Sequence, residues 1–326
     1  MSFEIVPPGT RIDFIGKRRA AAALSLGLIL ASLIAIPIRG VRLGIDFAGG
    51  NEVQVRFDET VVVDEGQIRE VLSSTEVVSD PTVMRFGTGE TQEYLIKFLS
   101  NEESASALPS DDPEASGGSG NLVTPGKADQ AQRLESALRE GIGPLEVQRV
   151  EFVGPRVGAE LQSDGLLSLF WASLAILAYV AFRFSSRFAP GAVVAVIHDL
   201  LVTAGIFIML GLEFDLRILA AMLAILGYSL NDTIIIYDRI RENLETHTKA
   251  KLPEVLNLSV NQTLSRTVLT SGTTLLALLS LFFLGGDVIR PFAFAMLIGV
   301  LVGTYSSIYI ASPLLLLLEG RAGAKS

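Results

Sequence analysis

The sequence has no cysteine at all, only two histidines and a single tryptophan. Without cysteine, no disulfide can brace an exposed domain. The histidines are too few, and His247 falls in a charged loop, so no metal site is expected. Also missing are G-x-S-x-G, H-E-x-x-H, a phosphate-binding P-loop and a dinucleotide fingerprint. The chain therefore offers no hydrolytic or redox centre and no cofactor cradle, and an enzyme is not expected. An excess of basic charge is missing as well: the net charge is −9, the wrong sign for a nucleic-acid partner.

Apolar residues are what the chain has in plenty. They make up 49% of its 326 residues, and the mean hydropathy is +0.47. Such values belong to a polytopic α-helical membrane protein embedded in a lipid bilayer. Window hydropathy places six transmembrane helices, near 20–38, 165–182, 189–210, 218–236, 264–284 and 291–318. The acidity is concentrated between the first two. Residues 39–163 hold 11 basic and 22 acidic side chains. Lys17, Arg18 and Arg19 precede the first span, Arg183 and Arg187 follow the second, and Arg239, Arg241, Lys249 and Lys251 follow the fourth. By the positive-inside rule both termini, 1–19 and 319–326, are cytoplasmic, and the acidic segment faces outward. The first apolar run resembles a signal peptide, but it fills a membrane thickness and lacks an A-x-A cleavage site, so an uncleaved anchor is expected.

The outward segment alternates in a readable order. Residues 52–57, 82–86, 93–98 and 145–153 show strand periodicity, while 64–74 and 128–140 show helical spacing. The order β-α-β-β-α-β predicts an α+β, ferredoxin-like exterior domain between helices 1 and 2. Residues 101–126, rich in Ser, Gly, Asp, Glu and Pro, read as a mobile insertion into it. The remainder, 164–318, is the five-helix rest of the bundle, with a cytoplasmic connector at 239–263. Within that connector 247–263 reads either as a plain interfacial connector or as a surface helix starting near Pro253, with Leu252, Val255, Leu256 and Val260 toward the membrane or the bundle.

Two spans carry ionisable residues that membrane insertion penalises. Asp232 is the only charge in the fourth span, and Arg266 stands near the start of the fifth. A charge at the centre of a span costs at least about 2.5–3.5 kcal/mol, so it persists where something uses it or pairs with it. Tyr228, Asn231, Asp232 and Ile235 share one face; Arg266, Thr270, Thr273 and Thr274 form a second stripe. The two charges fall at comparable depth. A proton relay of Asp232, Arg266, Asn231 and Thr270, with the proton as coupling ion, is one reading; a static ion pair is the other. His198 and Asp199 in the third span form either a secondary relay or a packing contact between helices. Asp46, Gly49 and Gly50 mark the start of the exterior domain, and Gly154 and Gly158 its end. These glycine-rich connectors suit hinges, and equally ordinary turns. Gly299 and Gly303 make a G-x-x-x-G step for close helix packing.

Several long stretches carry recognisable motifs: 44–50 (G-I-D-F-A-G-G), 153–161 (V-G-P-R-V-G-A-E-L), the I-H-D step within 195–200, and 227–243 (G-Y-S-L-N-D-T-I-I-I-Y-D-R-I-R-E-N). The stretches 265–274 and 299–307, ending G-T-Y-S-S, complete the set. Together they resemble the SecD/SecF family of protein-export membrane proteins, of the resistance-nodulation-division-like superfamily. The resemblance spans most of the chain, but the insertion at 101–126 is not part of the family pattern. It implies a subunit that works with SecD beside the SecYEG channel in the cytoplasmic membrane. There it would use the proton gradient to help draw exported, unfolded polypeptides outward. It also implies that Asp232 is the proton-path acid and Arg266 its partner. The competing functions are half of a proton-driven drug or lipid exporter, an intramembrane aspartyl protease using Asp199 and Asp232, and a passive translocon scaffold. The protease class has a G-x-G-D arrangement that this sequence lacks.

Overall fold

The computed structural model describes residues 7, 10–58, 61, 63–75, 78–86, 92–99, 125–184 and 188–323. Two compact units form: Leu43–Asp164, and Met1–Arg42 together with Gly165–Ser326. The acidic stretch 101–126 lies outside the described residues except for Pro125 and Gly126, which open a helix.

The first unit begins with the short helix α2 (Ile45–Ala48), which follows the span α1 (Arg18–Arg39). Strand β1 (Gly50–Phe57) comes next, then α3 (Glu65–Ser74), β2 (Ser79–Phe86), β3 (Glu93–Leu99), α4 (Pro125–Gly141) and β4 (Leu145–Val153). The sheet order is β2-β3-β1-β4, with every neighbouring pair antiparallel. Period-two alternation turns Val53, Val55, Phe57, Tyr94, Ile96 and Phe98 to one face. There they meet Ile68 and Leu72 of α3 and Leu134 and Leu138 of α4 in one core. Helix α3 starts where the sequence predicts because Asp64 caps it. The Asp64 side chain accepts from the Gly66 amide at 3.1 Å, and Gln67 reaches back to the Asp64 amide at 3.2 Å. The buried Tyr94 hydroxyl donates to the Val63 carbonyl at 2.5 Å, and burial pushes the phenol above its ordinary pKa. The opposite face is polar: Arg56 pairs with Glu93, and Lys97 lies 3.7 Å from Glu52.

The glycines at the start and end of this unit meet each other. Gly49 has φ 75°, and a Cβ there would stand 2.8 Å from the Pro155 Cα. A Cβ on Gly158 would stand 2.9 Å from both the Gly49 nitrogen and the Phe47 carbonyl oxygen. Gly158 lies inside α5 (Pro155–Arg183), and Gly154 immediately precedes it. Gly49 and Gly158 thus serve a close backbone approach, whereas a Cβ on Gly154 would make only an ordinary contact with the Phe152 ring. Replacing Gly158 with valine is expected to destabilise the unit by about 1–3 kcal/mol. The readout is faster limited proteolysis within Leu43–Asp164 of the detergent-solubilised full chain. Unchanged cleavage would show that the backbone yields freely.

The second unit is helical. To α1 and α5 it adds α6 (Ala189–Leu210), α7 (Leu216–Thr246), α8 (Leu252–Leu284), α9 (Gly286–Ser306), a π-helical segment (Ser307–Ala311) and α10 (Ser312–Gly323). Among the described residues, six stretches are long and apolar enough to cross a membrane, the sixth running Val288–Leu317. Pro190 in the first turn opens α6, and Gly211 at φ 69° closes it. Asp215 caps α7 by accepting from the Ile218 amide at 3.0 Å, with Arg217 bound to the same carboxylate.

Three boundaries differ from the sequence reading. Helix α5 starts at Pro155, ten residues before the expected span at 165. Helix α7 continues ten residues past 236, because Arg239 with Glu242 and Asp238 with Arg241 support another two turns at i, i+3 spacing. The surface helix expected in the connector is not separate. It forms the first turns of the 33-residue α8, where Val255, Leu256 and Val260 are buried in the bundle and Leu252 is half-buried. The N-terminal segment is strapped across those turns. Asn261 accepts from the Ile12 amide at 2.8 Å and donates to its carbonyl at 2.8 Å, while Asn257 accepts from the Phe14 amide at 2.9 Å. A cleft of about 880 Å³ lies beside the strap, bordered by Arg11, Arg18 and Glu254.

Candidate functional site

Helix α7 brings Ser229, Asp232 and Thr233 into the interior of the bundle. Small residues on α9 make this approach possible. A Cβ on Gly303 would stand 3.0 Å from that of Ser229, and one on Gly299 would collide with Ile225 at 2.3 Å. The G-x-x-x-G step is thus the seam between α9 and α7.

Asp232 is 1% exposed. Its Oδ2 lies 3.4 Å from the Ser271 hydroxyl of α8, and no group among the described residues reaches Oδ1. Ser271 is in turn 2.8 Å from Thr304 of α9, and Thr304 donates to the Val300 carbonyl at 2.8 Å. A hydroxyl has one hydrogen to give. Thr304 gives its own to Val300, so Ser271 is the donor in the shorter contact. The Asp232 carboxylate therefore receives almost nothing. A protonated Asp232 would donate to Ser271 and complete a run of donors through Thr304 to the Val300 carbonyl. The Tyr228 hydroxyl also reaches Ser271, at 3.4 Å. The buried Thr267 hydroxyl, one turn before Ser271 on α8, has no partner among the described residues. The site can take up a proton and hold it away from water.

The other expected relay residues lie differently. Arg266 and Asn231 are exposed. No ion pair joins Arg266 to Asp232, whose oxygens meet only Ser271 among the described residues. The Thr270 hydroxyl bonds back to the Arg266 and Thr267 carbonyls at 3.0 and 3.1 Å. The stripe that α8 buries is Thr263, Thr267, Ser271 and Leu278, rotated from the Arg266–Thr270–Thr273 stripe. Ser271 was missed because hydroxyls stand on several sides of α8, and Thr304 because it lies on a different helix, α9. The signal that could have found them is that both fall in the family-like stretches 265–274 and 299–307.

His198 and Asp199 of α6 form a second polar cluster, 2% and 1% exposed. Asp199 Oδ1 lies 2.9 Å from His198 Nδ1. Its Oδ2 accepts from Ser229 of α7 at 2.5 Å and from Ser306 of α9 at 2.7 Å. Asp199 and Asp232 belong to separate hydrogen-bond networks, so they are not a shared-proton acid pair of the protease kind. No cluster of three or more metal-ligating side chains occurs among the described residues.

Comparison with known proteins places this bundle. The family model for the protein export membrane protein SecD/SecF, C-terminal, matches residues 134–321, and that for the SecD/SecF GG motif matches 34–61. This chain belongs to the SecD/SecF protein-export family. A protein translocase subunit SecF from Desulfurispirillum indicum is 41% identical, over 93% of this chain and 90% of that one. One from Magnetococcus marinus is 43% identical, over 95% of this chain and 93% of that one. The crystal structure of SecDF, a translocon-associated membrane protein from Thermus thermophilus, superposes with a TM-score of 0.79 at 34% identity. The match covers 96% of this chain and 39% of the SecDF chain, so this chain spans about two fifths of that protein. Both SecD/SecF family matches fall on stretches where the motifs were read: the GG segment at Gly49–Gly50, and the bundle that holds Asp232. The relatives named translocase subunits are transport components, and this chain, like them, is a multi-pass membrane protein.

Proposed function

We propose that this chain is the SecF-type half of a SecD–SecF pair in the cytoplasmic membrane. Both termini face the cytoplasm. Protons passing through the bundle at Asp232 drive a cycle that helps exported, unfolded polypeptides leave the SecYEG channel. The observation that carries this reading is the buried Asp232 carboxyl, poised against the Ser271–Thr304 hydroxyl run without a full set of donors. Each proton that crosses supplies about 2.3 kcal/mol per 100 mV of membrane potential.

A partner half is supported by what the bundle leaves uncovered. Asn231, Arg266 and Thr273 are exposed on helices long enough to span the membrane. A guanidinium facing lipid is costly, so this polar strip calls for a second membrane protein with matching polar groups. Affinity purification from native membranes is expected to recover a SecD-like polytopic partner in stable amount. Purification of the chain alone, with Arg266 open to lipid-phase labelling in the native membrane, would overturn the pairing.

A further inference from the structure

We propose that His198 and Asp199 form a second proton-binding site, separate from the Asp232 network and built where α6, α7 and α9 meet. With Asp199 as the acceptor, His198 Nδ1 carries the hydrogen of their 2.9 Å contact. Nε2 then keeps the lone pair. That nitrogen is buried, and no group among the described residues reaches it. A cluster that only glues helices has no use for such an atom, because an unmet buried acceptor costs about 1–3 kcal/mol. A proton from the aqueous side gives the atom a function. It forms an N–H bond at Nε2, breaks no bond, and converts the cluster from a net charge of −1 to a neutral imidazolium–carboxylate pair. Neutrality is favoured in apolar surroundings. The carboxylate stays fixed meanwhile, since Ser229 and Ser306 hold Oδ2 from two other helices.

The site is wired to its neighbours. Ser229 lies three residues before Asp232 on α7, and Ser306 lies two residues after Thr304 on α9. The two networks therefore grip α9 within one turn, directly before the π-helical segment Ser307–Ala311. The His198 ring sits 6.2 Å from the Tyr305 ring, whose hydroxyl donates to the Ala21 carbonyl of α1 at 2.7 Å and lies 3.0 Å from Ser25. Among the described residues, the titratable groups against His198 are Asp199 on its own helix and Tyr305 on α9; Asp232 stands three residues beyond Ser229 on α7. Tyr309 of the π-helical segment stacks behind Tyr305 at 5.3 Å. Where α1 meets this cluster it offers the Ser25 hydroxyl and the Ala21 carbonyl.

A transport role for this site rests on the proton-driven reading above, so two readouts separate them. The full chain, with its partner and with His247→Ala to leave one histidine, is labelled with 15N in the imidazole and studied in lipid vesicles by solid-state NMR. The Nε2 resonance is expected to move reversibly between its unprotonated and protonated positions as the pH of the vesicles is cycled. An invariant resonance overturns the site. The second readout uses His198→Asn, whose amide N–H can replace Nδ1–H toward Asp199 but binds no proton. Gradient-stimulated export is expected to be lost while thermal unfolding stays as in the parent. Full stimulation in that variant overturns the transport role and leaves a packing contact. If the variant fails to fold, the resonance of the unsubstituted His198 decides alone. A titrating His198 in a protein whose export ignores the gradient would overturn the proton-driven reading and leave the proton site standing.

Discussion

Asparagine at position 232 is expected to reduce gradient-stimulated export to the level seen without a gradient, while membrane insertion and expression remain normal. The amide nearly matches the carboxyl in size, and it is cheaper than a charge in an apolar span. It also donates permanently toward Ser271, 3.4 Å from the present Oδ2. The variant would therefore resemble the protonated state and could not leave it. A cycle that needs both states stops. Precursor translocation into inverted membrane vesicles, with and without a proton gradient, measures this directly. A variant that keeps full stimulation removes Asp232 from the proton path.

Arg266→Lys is expected to lower gradient-stimulated export by about tenfold or more, since hydrogen bonds to a charged group carry roughly 1.5–3 kcal/mol. Lysine keeps the charge but loses the planar fork that binds two oxygens at once. Arg266 is exposed on α8 and is not bonded to Asp232. It is thus free to meet an acid or carbonyl on the partner half, or to swing toward Asp232 during the cycle. Full activity in the lysine variant would show that a point charge suffices. Full activity in Arg266→Ala would show that the charge itself has no part in transport.

The separation between these two side chains marks where the sequence stops being informative. Asp232 is legible without any structure: one acid in an apolar span is a large energetic anomaly, and it was buried as that anomaly requires. The rotation of α8 was not legible. A helix in a soluble protein shows its buried face as an apolar stripe, but a membrane helix is apolar on every side. Thr263, Thr267, Thr270, Ser271, Thr273 and Thr274 give hydroxyls in several directions, and spacing does not rank them. Asp199 illustrates the same limit. Its sequence neighbour His198 was evident, whereas Ser229 and Ser306 lie 30 and 107 residues away.

By itself the sequence determined how many stretches are long and apolar enough to cross the membrane, the β-α-β-β-α-β order of the Leu43–Asp164 unit, and which acid is anomalous. These follow from hydropathy, alternation and the cost of a buried charge, all of which act along the chain or at one residue. Only the tertiary structure decided which hydroxyls serve each acid. That choice is made where Gly299 and Gly303 let α9 close on Ile225 and Ser229. This close approach carries Thr304 to Ser271 and Ser306 to Asp199. Such contacts depend on helix rotation and on sub-ångström packing between distant segments, and local sequence pattern carries neither.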